Sequence, residues 1–91
     1  MSHLTSNTDA LQKRVRRIVG QLQAVDRALA VEEDCATTLH LVAAVRGAVN
    51  GLVEELIEAH LREHVAAADL SPSQRDDGAE ALMTAIRRYA K

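Results

Sequence analysis

One cysteine and three histidines could form a metal site in this chain of 91 residues. They are Cys35, His60, His64 and, near the N-terminus, His3. His60 and His64 are four residues apart, so on a helix both imidazoles project from one face, one turn from each other. Thiolate and imidazole ligands together suit borderline divalent ions such as Ni(II), Co(II) and Zn(II). The residue types therefore predict a metal centre.

The separation of Cys35 from His60 sets a geometric problem. The two residues are 25 positions apart, which on one continuous helix amounts to roughly 37 Å at about 1.5 Å per residue. No single ion spans that distance, so either the helix breaks or Cys35 of one chain meets His60 and His64 of another. In an antiparallel two-fold pair of such helices, the axis falls midway between the ligands. That midpoint lies in the segment between Gly47 and Gly51.

Two glycines inside one helix need a physical reason, because each costs up to about 1 kcal/mol relative to alanine. Close approach of two helix backbones at a two-fold crossing would explain both Gly47 and Gly51. It would also create two equivalent sites in each dimer, with Cys35 from one chain and His60 and His64 from the other. The alternative is that both glycines pack against the first helix of their own chain.

Apolar periodicity predicts helices and no strands. The first helix carries a heptad-like stripe over Leu11–Leu29, and Thr8 or Asp9 is its expected N-cap. An acidic turn follows at Glu32–Asp34, and a second helix is expected over about Cys35–Ala67. A helix of that length indicates a partner along much of its surface.

A third helix follows a clear start signal. Ser71 and Gln74 have the spacing of a reciprocal capping box, and Pro72 stands at the first helical position. The helix is expected to run to about Tyr89, although Gly78 lowers its propensity. The predicted fold class is all-α, with a three-helix protomer made of a helix hairpin and a short C-terminal helix.

The composition favours a small cytoplasmic protein that assembles with itself. We expect one domain over residues 1–91, with residues 1–8 as a flexible N-terminal arm. The chain is 47% hydrophobic but has a single aromatic residue, Tyr89, so its small side chains predict a thin core and an oligomer. A lone cysteine excludes an intramolecular disulfide, no apolar stretch is expected to span a membrane, and no signal peptide is evident.

Positive charge is concentrated in one short segment of a chain whose formal net charge is −2. Four of its cations fall within five residues, and a fifth lies near the expected two-fold axis. Such a patch either forms a solvated surface or contacts phosphate, and the acidic remainder of the chain favours phosphate. No helix-turn-helix pattern is present, so DNA recognition would rely on phosphates and groove shape. The candidate DNA-binding residues are Lys13, Arg14, Arg16, Arg17 and Arg46.

Two segments carry a specific resemblance. RVRRIVGQ and AAVRGAVNGL, together with Cys35 and the following EAHLREH, resemble the CsoR/RcnR/FrmR family of bacterial transcriptional repressors over roughly Leu11–Val65. The resemblance implies an all-helical protomer, a dimer built on antiparallel second helices, and a tetramer made of two such dimers. It also implies that the effector-free protein binds operator DNA and that the effector releases it, here derepressing an efflux gene.

The ligand set separates the branches that the resemblance implies. Copper(I) sensors would need a cysteine in place of His64, and formaldehyde sensors usually have glutamate there and proline at position 2. Nickel and cobalt sensors carry the set found here, His3, Cys35, His60 and His64. The amino-acid sequence of the first helix, however, is closer to that of the formaldehyde branch. We therefore expect Ni(II) or Co(II) as effector, with Zn(II) possible in vitro. The alternative is formaldehyde, captured by Cys35 and the N-terminal amine.

Other polar residues have smaller expected roles. Because Ser2 is small, we expect removal of Met1, which leaves a free amine on Ser2. That amine and Glu63 are possible additional ligands, and Glu63 could equally be a solvated charge. His40 is expected to be a surface residue.

No oxyanion loop or suitably placed acid accompanies the ligands, and a fully ligated ion leaves no open position for chemistry. The sequence therefore predicts a regulator and not an enzyme.

Overall fold

Three helices form the protomer in the computed structural model, which describes residues 8–89. They are α1 (Thr8–Ala30), α2 (Cys35–His64) and α3 (Pro72–Tyr89), and no strand occurs in this range. The all-α, three-helix prediction is confirmed. The described chain forms two compact units, residues 8–54 and residues 55–89. His3 and Ser2 lie outside the described residues.

The first unit is a hairpin of α1 and the N-terminal part of α2, joined where the acidic turn was expected. Glu32 adopts a left-handed conformation, with φ of 53°. Its backbone N–H donates to the carbonyl of Leu29 (3.2 Å), and that of Glu33 donates to the carbonyl of Ala28 (2.8 Å). These two bonds satisfy the last carbonyls of α1 in the Schellman pattern, which usually has glycine at the left-handed position.

Asp34 starts α2. Its Oδ1 accepts a hydrogen bond of 2.7 Å from the backbone N–H of Thr37, and its carbonyl accepts one of 3.2 Å from the Thr38 hydroxyl. This is an N-cap, which places Cys35 at the first position of α2. The bond from the Thr37 backbone lowers the pKa of Asp34 below its ordinary value, because it stabilises the carboxylate. The described part of α1 starts at Thr8, which is already helical, so neither Thr8 nor Asp9 is the N-cap that the sequence predicts.

The apolar stripe of α1 is covered on one side only. Leu11, Ile18 and Ala28 are buried, whereas other members of the same stripe face solvent. Within residues 8–54, α1 packs against a single helix, the N-terminal part of α2, and the rest of its stripe stays exposed. The exposed apolar residues of the unit include Val15, Val19, Leu22 and Leu29 on α1 and Leu39, Val42 and Val49 on α2.

α2 is more apolar than expected. By length and composition alone it contains an 18-residue window that could cross a membrane, so the expectation that no segment has this property was wrong. Between Cys35 and the acidic stretch that begins at Glu54, α2 is rich in valine, leucine, alanine and glycine. A helix that packs against other helices on several sides has the same composition.

The second unit joins the C-terminal part of α2 to α3 through a capped turn. The Ser71 N–H donates to Gln74 Oε1 (2.9 Å), and the Gln74 N–H donates to Ser71 Oγ (3.1 Å). This reciprocal pair confirms the capping box, and α3 begins at Pro72 as expected.

Arg75 closes the turn between α2 and α3. Its guanidinium donates to three backbone carbonyls of the connecting segment, those of Val65, Ala67 (3.2 Å) and Leu70 (3.3 Å). α2 ends at His64, three residues before the expected end. The start signal at Ser71 and Pro72 is local in the sequence, whereas Arg75 reaches carbonyls that lie five to ten residues away in the chain.

We predict that Asp34→Ala lowers the thermal midpoint of the metal-free protein at neutral pH and that Asp34→Asn, which keeps an oxygen acceptor, lowers it less. Because the folded-state pKa is depressed, the carboxylate stabilises the fold fully above the unfolded value of about 3.9. That stabilisation is lost as the pH falls through the lower folded value. Circular dichroism melts across this range test the prediction, and equal melting of Asp34→Ala and wild type at neutral pH would contradict it.

Candidate functional site

His60 and His64 form a pair near the end of α2. Their ring centroids are 4.8 Å apart, with the planes inclined at 44°, and both residues are half-buried. The helical spacing therefore brings two imidazoles to one face, as predicted. Glu63 lies beside them, with its Oε2 3.9 Å from His64 Nε2, and its side chain is also largely covered.

A hydrogen bond to α3 orients the His60 ring. His60 Nε2 lies 2.9 Å from the carbonyl oxygen of Gly78. A carbonyl only accepts, so Nε2 carries the proton in this arrangement. In the neutral ring Nδ1 then holds the lone pair that a metal ion would use. The bond to Gly78 thus decides which nitrogen of His60 is available as a ligand.

Gly78 is required for this contact. It is buried within α3, and a Cβ added there would overlap the carbonyl oxygen of His64 and lie 2.9 Å from the His64 Cβ. Only a residue without a side chain lets the backbone of α3 pass so close to the end of α2. The sequence showed Gly78 only as a weak helix former, although an interior glycine can also signal close helix packing.

Cys35 is exposed at the opposite end of α2. α2 is a single helix from Cys35 to His64, and a straight helix separates residues 25 positions apart by roughly 37 Å. Within residues 8–89, no group of three or more histidine, cysteine, aspartate or glutamate side chains is placed to hold a metal ion. The structure thus brings His60 and His64 together but not Cys35.

The two glycines in the middle of α2 have different surroundings. A Cβ at Gly51 would lie 2.9 Å from Arg14 Nη1, whereas a Cβ at Gly47 would meet nothing within 4 Å. The alternative explanation for both glycines was packing against the first helix of the same chain. The contact with Arg14 supports that explanation for Gly51. Gly47 is exposed and leaves the α2 backbone open to contact from outside the protomer.

The basic residues of α1 also differ in their surroundings. Lys13, Arg16 and Arg17 are exposed, whereas Arg14 is half-buried and reaches Gly51 on α2. Arg46 is exposed on α2. Three of the four cations in the first-helix segment are therefore on the solvent side, and His40 is also exposed, as expected.

Comparison with known proteins agrees with this architecture. A model of the metal-sensitive transcriptional repressor family matches residues 7–88. The chain belongs to this family. The resemblance drawn from its sequence is thereby confirmed, and as a member of the metal-sensitive repressors it is a regulator of transcription and not an enzyme.

Similar proteins match the chain along its whole length. The uncharacterised protein of the bioA 5′ region of Serratia marcescens is 50% identical over 91 residues, and the transcriptional repressor RcnR of Citrobacter koseri is 36% identical over 91 residues; each match covers all of both chains. A solved structure of a glutamate-to-histidine variant of the formaldehyde-responsive regulator FrmR, from Salmonella enterica serovar Typhimurium, is also similar. It has a TM-score of 0.88 and 39% identity, covering 97% of this chain and 99% of that one.

We predict that Gly78→Ala destabilises the protein by about 1–3 kcal/mol, the usual range for overpacking, because α3 must move away from His64. The same shift breaks the bond to His60, so metal affinity should fall as well. Gly20→Ala is the matched control, since a Cβ at Gly20 meets nothing within 4 Å and should stabilise the helix. Denaturant unfolding measures both changes, and a Gly78→Ala protein as stable as wild type would contradict the prediction.

Proposed function

We propose that this protein is a cytoplasmic Ni(II)- or Co(II)-responsive repressor that binds operator DNA without metal and releases it when metal binds. Release would derepress a metal efflux gene. The observation that carries the proposal is the His60–His64 pair, oriented by Gly78 with His60 Nδ1 available. Its chemistry, combined with the Cys35 thiol, suits borderline divalent ions. The similarity to the transcriptional repressor RcnR supports the repressor part of the proposal.

The proposed site is shared between two copies of the chain. α2 pairs antiparallel with its counterpart, so Cys35 of one protomer meets His60 and His64 of the other. Two observations support this: the apolar side chains of α1 and α2 that one protomer leaves exposed, and the open backbone at Gly47. Two such dimers would form a homotetramer, which would cover more of the exposed apolar surface.

Further ligands decide which ion the site prefers. His3 would close the site from the N-terminal segment, and the Ser2 amine or Glu63 could complete it. Zn(II) is satisfied by four tetrahedral ligands, whereas Ni(II) and Co(II) can use more. The half-buried Glu63 carboxylate next to His64 is placed either to ligate or to hold the His64 ring.

Repression depends on the basic residues of α1 and on Arg46. The exposed cations contact phosphates of operator DNA in the metal-free tetramer. Metal binding across the α2 pair then favours an arrangement with lower DNA affinity. A coupling free energy of about 1–3 kcal/mol changes that affinity roughly 5- to 150-fold, which is sufficient for a genetic switch.

Formaldehyde is the alternative effector, and the similarity to FrmR favours it. In this case the Cys35 thiol adds to the aldehyde and the Ser2 amine completes a methylene bridge, with loss of water. The presence of His64 argues for metal, because the formaldehyde branch usually has glutamate at this place. The solved FrmR variant carries an exchange of the same kind, from glutamate to histidine.

We predict that Ni(II) or Co(II) weakens binding of the metal-free protein to DNA from upstream of its own coding sequence roughly 5- to 150-fold. His64→Glu should keep DNA binding but lose this response, because a carboxylate replaces one imidazole. His40→Glu makes the same exchange at an exposed position of α2 and should respond as wild type. Gel-shift titrations with Ni(II), Co(II), Zn(II) and formaldehyde in parallel give the answer.

Unchanged DNA affinity with both Ni(II) and Co(II) would exclude the proposed effectors. Release by formaldehyde alone would establish the alternative. Mass spectrometry would then find one added carbon atom linking Cys35 to the N-terminal amine.

We predict that Lys13→Ala and Arg17→Ala each weaken DNA binding similarly on all sequences and each reduce the slope of log affinity against log salt by about 1. Arg88→Ala, which removes an exposed cation from α3, is the control and should leave the slope unchanged. Fluorescence anisotropy at several salt concentrations measures these slopes. Equal slopes for Lys13→Ala, Arg17→Ala and wild type would place DNA elsewhere on the protein.

A further inference from the structure

Gly20 has no structural reason to be glycine within its own protomer. It lies in the interior of α1, where glycine is the poorest helix former after proline. Its φ is not positive, so no backbone conformation demands it. A Cβ added there would meet nothing within 4 Å. The reason for a glycine must therefore lie in something that approaches α1 from outside.

The surroundings of Gly20 are cationic. At 100° per residue, side chains three, four and seven positions away share its face of α1. Those positions hold four exposed cations: Lys13, Arg16, Arg17 and Arg27. No ion pair involves any of the four within residues 8–89. Asp9, at the N-terminal end, is the only acidic side chain on this face of α1.

Charge decides what approaches this face. A second copy presenting the same cations would be repelled, and the apolar side chains that suit a second copy, such as Val15, Val19 and Leu22, lie on a different side of α1. A polyanion is attracted, and duplex DNA carries one phosphate charge per about 1.7 Å of its axis. The face from Lys13 to Arg27 is about 21 Å long at about 1.5 Å per residue, so it can contact several phosphates at once.

We propose that Gly20 is the point of closest approach between α1 and the DNA phosphate backbone, and that Arg27 extends the contact beyond the Lys13–Arg17 segment. The missing side chain lets the helix backbone lie against the DNA strand. The cations around it then reach phosphates directly on both sides. This inference rests on the proposed DNA-binding function and adds to it two residues that the charge run did not indicate.

Gly20→Ala tests the inference because its expected effects have opposite signs. Alanine should raise the thermal midpoint by a few degrees, since it favours the helix and meets no neighbour. It should weaken DNA binding about tenfold, because it lengthens several charge contacts at once. Gly20→Leu should weaken binding further. The loss should be equal on the upstream DNA and on a random-sequence duplex, because phosphate contacts carry no sequence information.

Arg27→Ala tests whether the DNA contact extends beyond the Lys13–Arg17 segment. The slope of log affinity against log salt should fall by about 1, whereas Arg88→Ala should leave it unchanged. Anisotropy titrations of metal-free protein with both duplexes measure affinities and slopes, and analytical ultracentrifugation measures the assembly. Wild-type affinity of Gly20→Ala on both duplexes would overturn the role of Gly20, as would a change in its oligomeric state. An unchanged slope for Arg27→Ala would overturn the extension.

The proposed function can fail separately. If wild type binds DNA but Ni(II), Co(II) and Zn(II) have no effect, the effector assignment is wrong. The DNA affinities of the Gly20 variants then still decide whether Gly20 contacts DNA. If wild type binds neither duplex at low salt, both the DNA-binding proposal and this inference are overturned.

Discussion

The uninterrupted backbone of α2 is the constraint that the rest of the protein depends on. Each residue adds about 1.5 Å of rise, so a helix continuous from Cys35 to His64 cannot fold its two ends onto one ion. Any site that uses both the thiol and the imidazoles must take them from different chains. In the proposed assembly, an ion bound at such a shared site would hold two protomers in a fixed register.

Features set by neighbouring residues could be predicted from the sequence, and features set by packing could not. The capping box of Ser71 and Gln74 and the turn at Glu32–Asp34 depend on hydrogen bonds over three to five residues. The bond from His60 to Gly78 joins residues 18 positions apart. Its formation depends on how α3 crosses α2, and periodicity carries no information about that crossing. Gly78 therefore looked like a weakness of α3 until its contact with His64 was known.

The apolar stripes show the same limit. Spacing identified which residues of α1 are apolar and share a side, but it could not tell which of them the protomer covers itself. Ile18 is buried and Leu22 is exposed, although both belong to one stripe. Charge patterning has the same limit, since Arg14 lies against Gly51 on α2 while its neighbours in sequence are exposed. The candidate surface was predictable in outline, and the assignment of each side chain required the fold.

If the proposed function holds, the contact of Arg14 with α2 offers a route from the α2 pair to the basic surface of α1. Its guanidinium fills the space above Gly51, one helical turn from Gly47, where the proposed second copy crosses. A change in that crossing shifts the α2 backbone on which Arg14 rests. Arg14 belongs to the same continuous helix as Lys13, Arg17 and Gly20, so in the proposed mechanism a displacement of α1 would move all of them together. A metal ion that resets the α2 pair would thereby alter the fit of α1 to the phosphate backbone without contacting DNA.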